Sequence, residues 1–206
     1  GLRLRVREDT RDAIAAAAPH ADAAFRSSPV NRDLFLGILR NPRDLYRTLR
    51  DMMDCGALIA YIPEFAMVRH LPRMDFYHHY AVDEHLLRTT LFSERLLSGP
   101  AAPGGRSDPS LAHVSRVART IRRWDLLNFT LILHDIGKGE GRGNVLRGGH
   151  LISRIAERMG LAEADRELCR RLTLNHQKMS QLAFQRNVED PKVAQELADE
   201  LGERET

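Results

Sequence analysis

Cys55 and Cys169 are the only cysteines in 206 residues. They stand far apart and without the spacing of paired metal thiolates, so the chain has neither a disulfide framework nor a cysteine zinc site, and a reducing compartment is expected. No run approaches the roughly 20 apolar residues that span a bilayer, and the first residues carry no basic-then-apolar signal pattern. The expected location is therefore the cytoplasm, with no membrane as partner. Charge of one sign is also scarce in excess: Lys+Arg 31 against Asp+Glu 28 leaves +3, the arginines being scattered among acids. So mild a balance gives no reason to expect nucleic acid as a partner. Strand-like alternation is nearly absent and no internal repeat is visible, which leaves an all-α fold.

What is present is a chain 43% hydrophobic and 29% charged, enough for one sizeable core with a helical appendage. It opens on Gly1 with no methionine, as expected of a segment cut from something longer. The alanine-rich stretch from Asp9, broken at Pro19, predicts a peripheral helix. Ser28-Pro29 caps a short amphipathic helix through Leu39; Asn41-Pro42 opens another, with Leu45, Leu49, Met52 and Met53 on one face and Gly56 as its stop. Pro63 to Pro72 reads as a linker with a short extended piece. Core helices are predicted over 82–97, 110–122, 126–135, 147–159, 162–174 and 191–201, and the Gly/Pro/Ser-rich stretch from Ser98 to Pro109 is expected to be disordered.

The most informative pair is His134-Asp135, at the end of the apolar run from Leu126 to Leu133 and just before Gly137-Lys138-Gly139. Neutral imidazole and carboxylate suit Mn, Fe, Zn and, with more oxygen, Mg, and the apolar run delivers both to the mouth of a core. Further histidines follow in helical segments on either side: His85 in Val82-Asp83-Glu84-His85, then His150, then His176 in Asn175-His176-Gln177-Lys178-Met179-Ser180.

That order, with Ile136-Gly137-Lys138 after the pair, resembles the HD superfamily of metal-dependent phosphohydrolases. Longer segments give a narrower match. Gly56 to Phe65, Met74 to His85, His134 to Gly139 and Asn175 to Ser180 together look like the central region of bacterial protein-PII uridylyltransferase/uridylyl-removing enzymes, from about Asn31 to about Val193. The resemblance implies an HD-domain helical bundle over 71–206 preceded by an N-terminal helical extension and linker over 1–70. The nucleotidyltransferase domain that precedes this region in that family, and the ACT domains that follow it, have no counterpart here and are expected in a full-length chain.

What the resemblance implies chemically is hydrolysis of a phosphodiester, with release of UMP from a uridylylated PII-like protein. His85, His134 and Asp135 form the expected metal core, with a divalent ion, Mn or Mg foremost and Fe or Zn as alternatives, and Asp135 able to bridge two ions. Asp135 and Lys138 are the expected catalytic residues, Lys138 as a phosphate contact. His176 matches a second histidine whose first partner position is here Asn175, and His78 is expected to shape the pocket. The glycines at 137, 139, 141 and 143 are read as a flexible loop, with Arg142 and Arg147 nearby. Two positions depart from the family pattern. A ligand histidine six residues after Lys138 is replaced by Asn144, with His150 as a compensating ligand, and the aspartate expected after Arg186 is Asn187, leaving Glu189 and Asp190 as nearby acids. Two other readings stay open: an HD hydrolase of another nucleotide, and a regulatory HD module without catalysis.

Overall fold

A computed structural model describes residues 6–41, 43–72, 80–98, 109–140, 144–187 and 190–201. His78, Arg142, Gly141, Gly143, Glu189 and the stretch 99–108 lie outside the described residues. The fold is all-α, with no strand among the described residues. In chain order the helices are α1 (Glu8–Ala17), α2 (Ala23–Ser27), α3 (Pro29–Arg40), α4 (Leu45–Asp54), α5 (Ala57–Tyr61) and α6 (Val82–Ser98), followed by α7 (Pro109–Ala118), α8 (Trp124–Leu131), α9 (Asn144–Arg158), α10 (Glu163–Asn175), α11 (Lys178–Gln185) and α12 (Pro191–Leu201). Among them none is long and apolar enough to cross a membrane.

Local chemistry accounts for most of the boundaries. Ser28 Oγ accepts from Asn31 N–H and Pro29 takes the first helical position, so α3 starts where its cap dictates. Its apolar stripe, Phe35, Leu36 and Leu39, is buried. Leu45, Leu49 and Met53 recur every four residues along the buried face of α4, which ends before Gly56 at φ +78°. That helix begins at Leu45 and not at Pro42, because Asp44 stands at its N-cap in a left-handed conformation, φ 55°. Pro63–Val68 is a 3₁₀ helix and not an extended linker, and it buries Phe65 and Val68.

The centre of the molecule is α8, which buries Trp124, Asp125, Leu126, Asn128, Phe129 and Thr130. A helix covered nearly all round needs its polar side chains satisfied. Asp125 is held by Arg40 at 2.8 Å and Arg123 at 3.1 Å, and the Asn128 side-chain amide donates to Leu39 O at 2.8 Å. Helices α3, α6 and α10 pack around α8, and α9 packs along α10. One continuous cluster of buried side chains runs from Phe35 to Cys169, so a cut at residue 70 would pass through it. Each large side chain in it, such as Phe65, Phe129 or Leu133, contributes on the order of 1.5–3 kcal/mol by leaving water.

Candidate metal centre

The helix expected over 126–135 stops at Leu131. A continuing helix would give the Leu131 carbonyl to the Asp135 N–H. Instead that carbonyl accepts from His134 Nδ1 at 2.8 Å and from Thr89 Oγ1 of α6 at 3.2 Å. The chain tightens through Leu133 N–H to Thr130 O and Ile136 N–H to Leu133 O, then enters a 3₁₀ helix over Ile136–Glu140. This turn places His134 and Asp135 side by side at the edge of the core. Gly137 makes it possible: a Cβ there would lie 2.1 Å from Asn144 O and 2.6 Å from Gly148 N. The backbone of α9 thus runs directly against the turn. Gly137 and Gly139 are packed positions, and the flexible loop expected for them is not what the fold builds.

Opposite the turn stands His85, in the first part of α6. That end of α6 is fixed by Asp83, 6% exposed, whose carboxylate accepts from Glu84 N–H and from His70 N–H at 2.9 Å each. From a third direction comes His176, just past the end of α10.

These four residues converge. His85 Nε2 lies 3.4 Å from His134 Nε2 and 3.6 Å from Asp135 Oδ2, and His134 Nε2 lies 3.4 Å from the same oxygen. The other carboxylate oxygen, Oδ1, faces His176 Nε2 at 3.7 Å. The rings of His134 and His176 meet edge to face, with centroids 4.9 Å apart. His134 donates its Nδ1–H to Leu131 O, and His176 donates its own to Thr173 O at 2.6 Å. A carbonyl can only accept, so in the neutral ring each Nε2 is left as a bare lone pair aimed into the cluster.

Burial by itself works against charge on Asp135, but hydrogen bonding and charge from His134, then Lys138, override it and hold the carboxyl well below the usual carboxylate range. Lys138 Nζ sits 2.8 Å from Oδ2. For His176, burial comes first and lowers the pKa; the Thr173 carbonyl opposes this, while the neighbouring His134 adds to it. The ring is thereby kept neutral at pH 7, the form that ligates metal.

Lone pairs and a carboxylate facing one another at such distances could hold a cation between them. Atoms separated by 3.4, 3.4 and 3.6 Å lie on a circle of about 2.0 Å radius, so one ion at the usual ligand distance of about 2.0–2.1 Å can reach the His85, His134 and Asp135 atoms together. The donor set of imidazoles and a carboxylate, with the His134 and His176 rings each oriented by a second hydrogen bond, suits a divalent metal ion.

Two residues expected in this set are elsewhere. His150 is exposed and faces away from the cluster: Gly148, two residues earlier on α9, is the position that meets His134 O, and two residues are about 200° around a helix. It lines a separate surface cavity of about 190 Å³ with Arg154, Glu157, Glu163, Arg166 and Glu167. Asp190 is exposed, and its carboxylate accepts from Lys192 N–H at 2.9 Å as α12 begins. Asn187 is exposed, and Asn144 opens α9. Sequence reasoning passed over Thr89 and Thr173, which orient the histidines. Thr89 stands four residues after His85 on one helix face, a spacing that marks it as a neighbour.

Residues 4–61 match the family model described as the uridylyltransferase GlnD third domain. Beyond that segment, the chain is 32% identical, over its full length, to the bifunctional uridylyltransferase/uridylyl-removing enzyme of Acinetobacter baylyi. It is 36% identical over 88% of its length to the enzyme of the same name from Bordetella parapertussis, and 36% identical over 96% to that of Psychrobacter cryohalolentis. Its relatives are bifunctional uridylyltransferase/uridylyl-removing enzymes. The chain spans about a fifth of the length of these relatives, from 20% to 22%. No solved structure matches it. The matches with relatives extend over the segments that carry His85, His134, Asp135 and His176, well past the end of the matched family model.

Proposed function

We propose that this chain is an HD-type metal-dependent phosphodiesterase that releases UMP from a uridylylated PII-type signalling protein, as the uridylyl-removing part of a longer cytoplasmic enzyme of nitrogen regulation. The observation that carries the reading is the convergence of His85, His134 and Asp135, whose ligand atoms all lie within 4.8 Å of one another. The relatives' names, which include uridylyl removal, support the choice of reaction. In the full-length protein, nucleotidyltransferase and ACT domains accompany this region.

When bound, a divalent ion, Mn or Mg before Fe or Zn, supplies Lewis acidity toward phosphoryl oxygen and lowers the pKa of water to near neutrality. The protein's own part is to hold and orient. His85, His134 and Asp135 supply the ligand atoms; His176 faces the second oxygen of Asp135 and extends the donor set along it. Thr89 and Thr173 fix the ring orientations through the Leu131 and Thr173 carbonyls. Lys138 keeps the Asp135 carboxylate in place and sets a positive charge beside the phosphoryl group. With the uridylyl group carried on a tyrosine of the PII-type substrate, the bond broken is the one between that tyrosine's oxygen and phosphorus: water provides hydroxide to phosphorus and a proton to the departing oxygen.

The test is elemental analysis of the purified protein together with turnover of uridylylated PII after manganese loading. Bound metal with UMP release is the expected result. Metal without UMP release redirects the search to another nucleotide phosphoester, and neither metal nor release leaves a regulatory HD module without catalysis.

A further inference from the structure

One helical turn beyond His85, α6 presents a guanidinium that the site described above does not use. Arg88 Nε donates to Glu84 Oε1 at 2.7 Å, and its central carbon lies 4.1 Å from the centroid of the Tyr80 ring. Glu84 has two further partners: Tyr46 OH of α4 donates to Oε1 at 2.8 Å and Arg50 to Oε2 at 2.7 Å. The guanidinium is thus fixed on one edge by a carboxylate and on one face by an aromatic ring, and Tyr80 is 46% exposed. Its two terminal amino groups make no hydrogen bond among the described residues. A guanidinium needs no such double support to sit in solvent. Held rigidly with its fork open, it is preorganised for a bidentate acceptor of the carboxylate or phosphate type. Residues three apart on a helix have Cβ atoms about 5–6 Å from each other, so Arg88 and His85 stand on neighbouring positions of one face of α6.

We propose that Arg88, stacked on Tyr80 and anchored by Glu84 beside His85, is the residue that grips the substrate's phosphoryl oxygens. The assignment rests on the phosphodiesterase reading for the nature of the substrate. It explains why α4 sends two side chains, Tyr46 and Arg50, to a glutamate adjacent to a metal ligand: they hold the residue that holds the arginine. Arg88 touches substrate and binds no metal, so its loss weakens phosphate binding and leaves the metal centre loaded.

The experiment is calorimetric titration of the manganese-loaded chain with UMP and, separately, with inorganic phosphate, for the wild type and for Arg88→Ala and Arg88→Lys, with manganese content measured in each. Arg88→Ala is expected to weaken both ligands by about 10- to 100-fold, the scale of a lost charged hydrogen-bond pair, at unchanged manganese content. Arg88→Lys keeps the charge without the fork and falls between. UMP affinity that stays at the wild-type level in Arg88→Ala overturns the proposal, as does a loss for UMP with none for phosphate, which would place the arginine on the base. A wild type that binds neither ligand overturns it too. Should Arg88→Ala not fold, as judged by circular dichroism, Arg88→Lys and Arg88→Gln carry the same comparison. Turnover separates this from the function proposed above: a chain that binds UMP through Arg88 yet releases none from uridylylated PII keeps the anchor and ends the uridylyl-removing reading.

Discussion

Two groups of histidine and carboxylate lie on opposite sides of α9, and they share residue types while differing in everything chemical. On the outer side, His150 stands among Glu157, Glu163 and Glu167, and each of those acids has an arginine: Arg166 bridges Glu157 at 3.1 Å and also pairs with Glu163, and Arg170 pairs with Glu167 at 2.7 Å. These are exposed pairs of small energetic weight, and they leave no charge asking for a ligand. On the inner side, Asp135 is 5% exposed and faces three imidazoles, with Lys138 as its cation. Two of those rings have their Nδ1 atoms committed to backbone carbonyls. The contrast teaches that a count of ligand-type residues says little. What marks a site is ligand atoms that converge on one another, held there by groups whose other ends are already satisfied.

The sharpest way to break the contrast is Asp135→Ala. It removes the one anion that all three imidazoles share, and it should abolish manganese binding and lower UMP release at least about a thousandfold, the scale on which loss of one member of a cooperating group acts. The helices should remain folded by circular dichroism, since Ala fills the position without a buried charge. Retained hydrolysis in this variant would end the site assignment.

Next in size is the support beneath the inner cluster. Gly137→Ala forces a Cβ against Asn144 O and Gly148 N, both backbone atoms that cannot rotate away. A loss of about 3 kcal/mol is expected, or a Tm lower by roughly 10 °C. Gly37→Ala is the control. Nothing lies within 4 Å of the added Cβ in the middle of α3, so that change should stabilise by about 0.5–1 kcal/mol through helix propensity. Equal effects from the two substitutions would mean that α9 does not press on the turn.

Smaller again is a dependence on pH. Burial, with the charge of His134, lowers the pKa of His176 in the folded chain below its ordinary value. In the unfolded chain the ring takes up a proton near about 6.5, whereas the folded protein takes it up only at lower pH. Between those points the unfolded state holds more protons, so stability present above pH 6.5 is lost as pH falls through the folded value. With metal removed by chelation, the melting temperature should therefore decline from pH 7 to pH 5, and less steeply in His176→Gln. Parallel slopes would show that burial does not keep the ring neutral.

How far the sequence could be read follows the same division. Periodicity and caps are local, and they led directly to α3, α6 and α12, whose ends are set by Ser28-Pro29, Val82 and Pro191. The five-residue α5 and the eight-residue α11 carry too little pattern to be read as helices, and α11 is separated from α10 only by the turn at His176 and Gln177. The order of histidines pointed to His85, His134, Asp135 and His176 because each sits at a helix end or turn, where direction is fixed by the break itself. The termination of α8 at Leu131 was not legible, since it depends on Thr89 and His134 competing for one carbonyl. His150 falls outside the cluster for a simpler reason. It stands at a suitable distance along the helix, but in a regular helix the angle decides which side a residue serves.

His150→Ala therefore carries the smallest expected effect and the cleanest lesson. The residue is exposed, lies about 200° around α9 from the glycine that touches His134, and shares its cavity with acids already paired to arginine. Its removal should leave manganese stoichiometry and UMP release unchanged and alter stability by less than about 0.5 kcal/mol, as for other surface substitutions. Loss of a bound manganese in this variant would mean that α9 turns its outer face toward the metal, and the division between the two clusters would have to be redrawn.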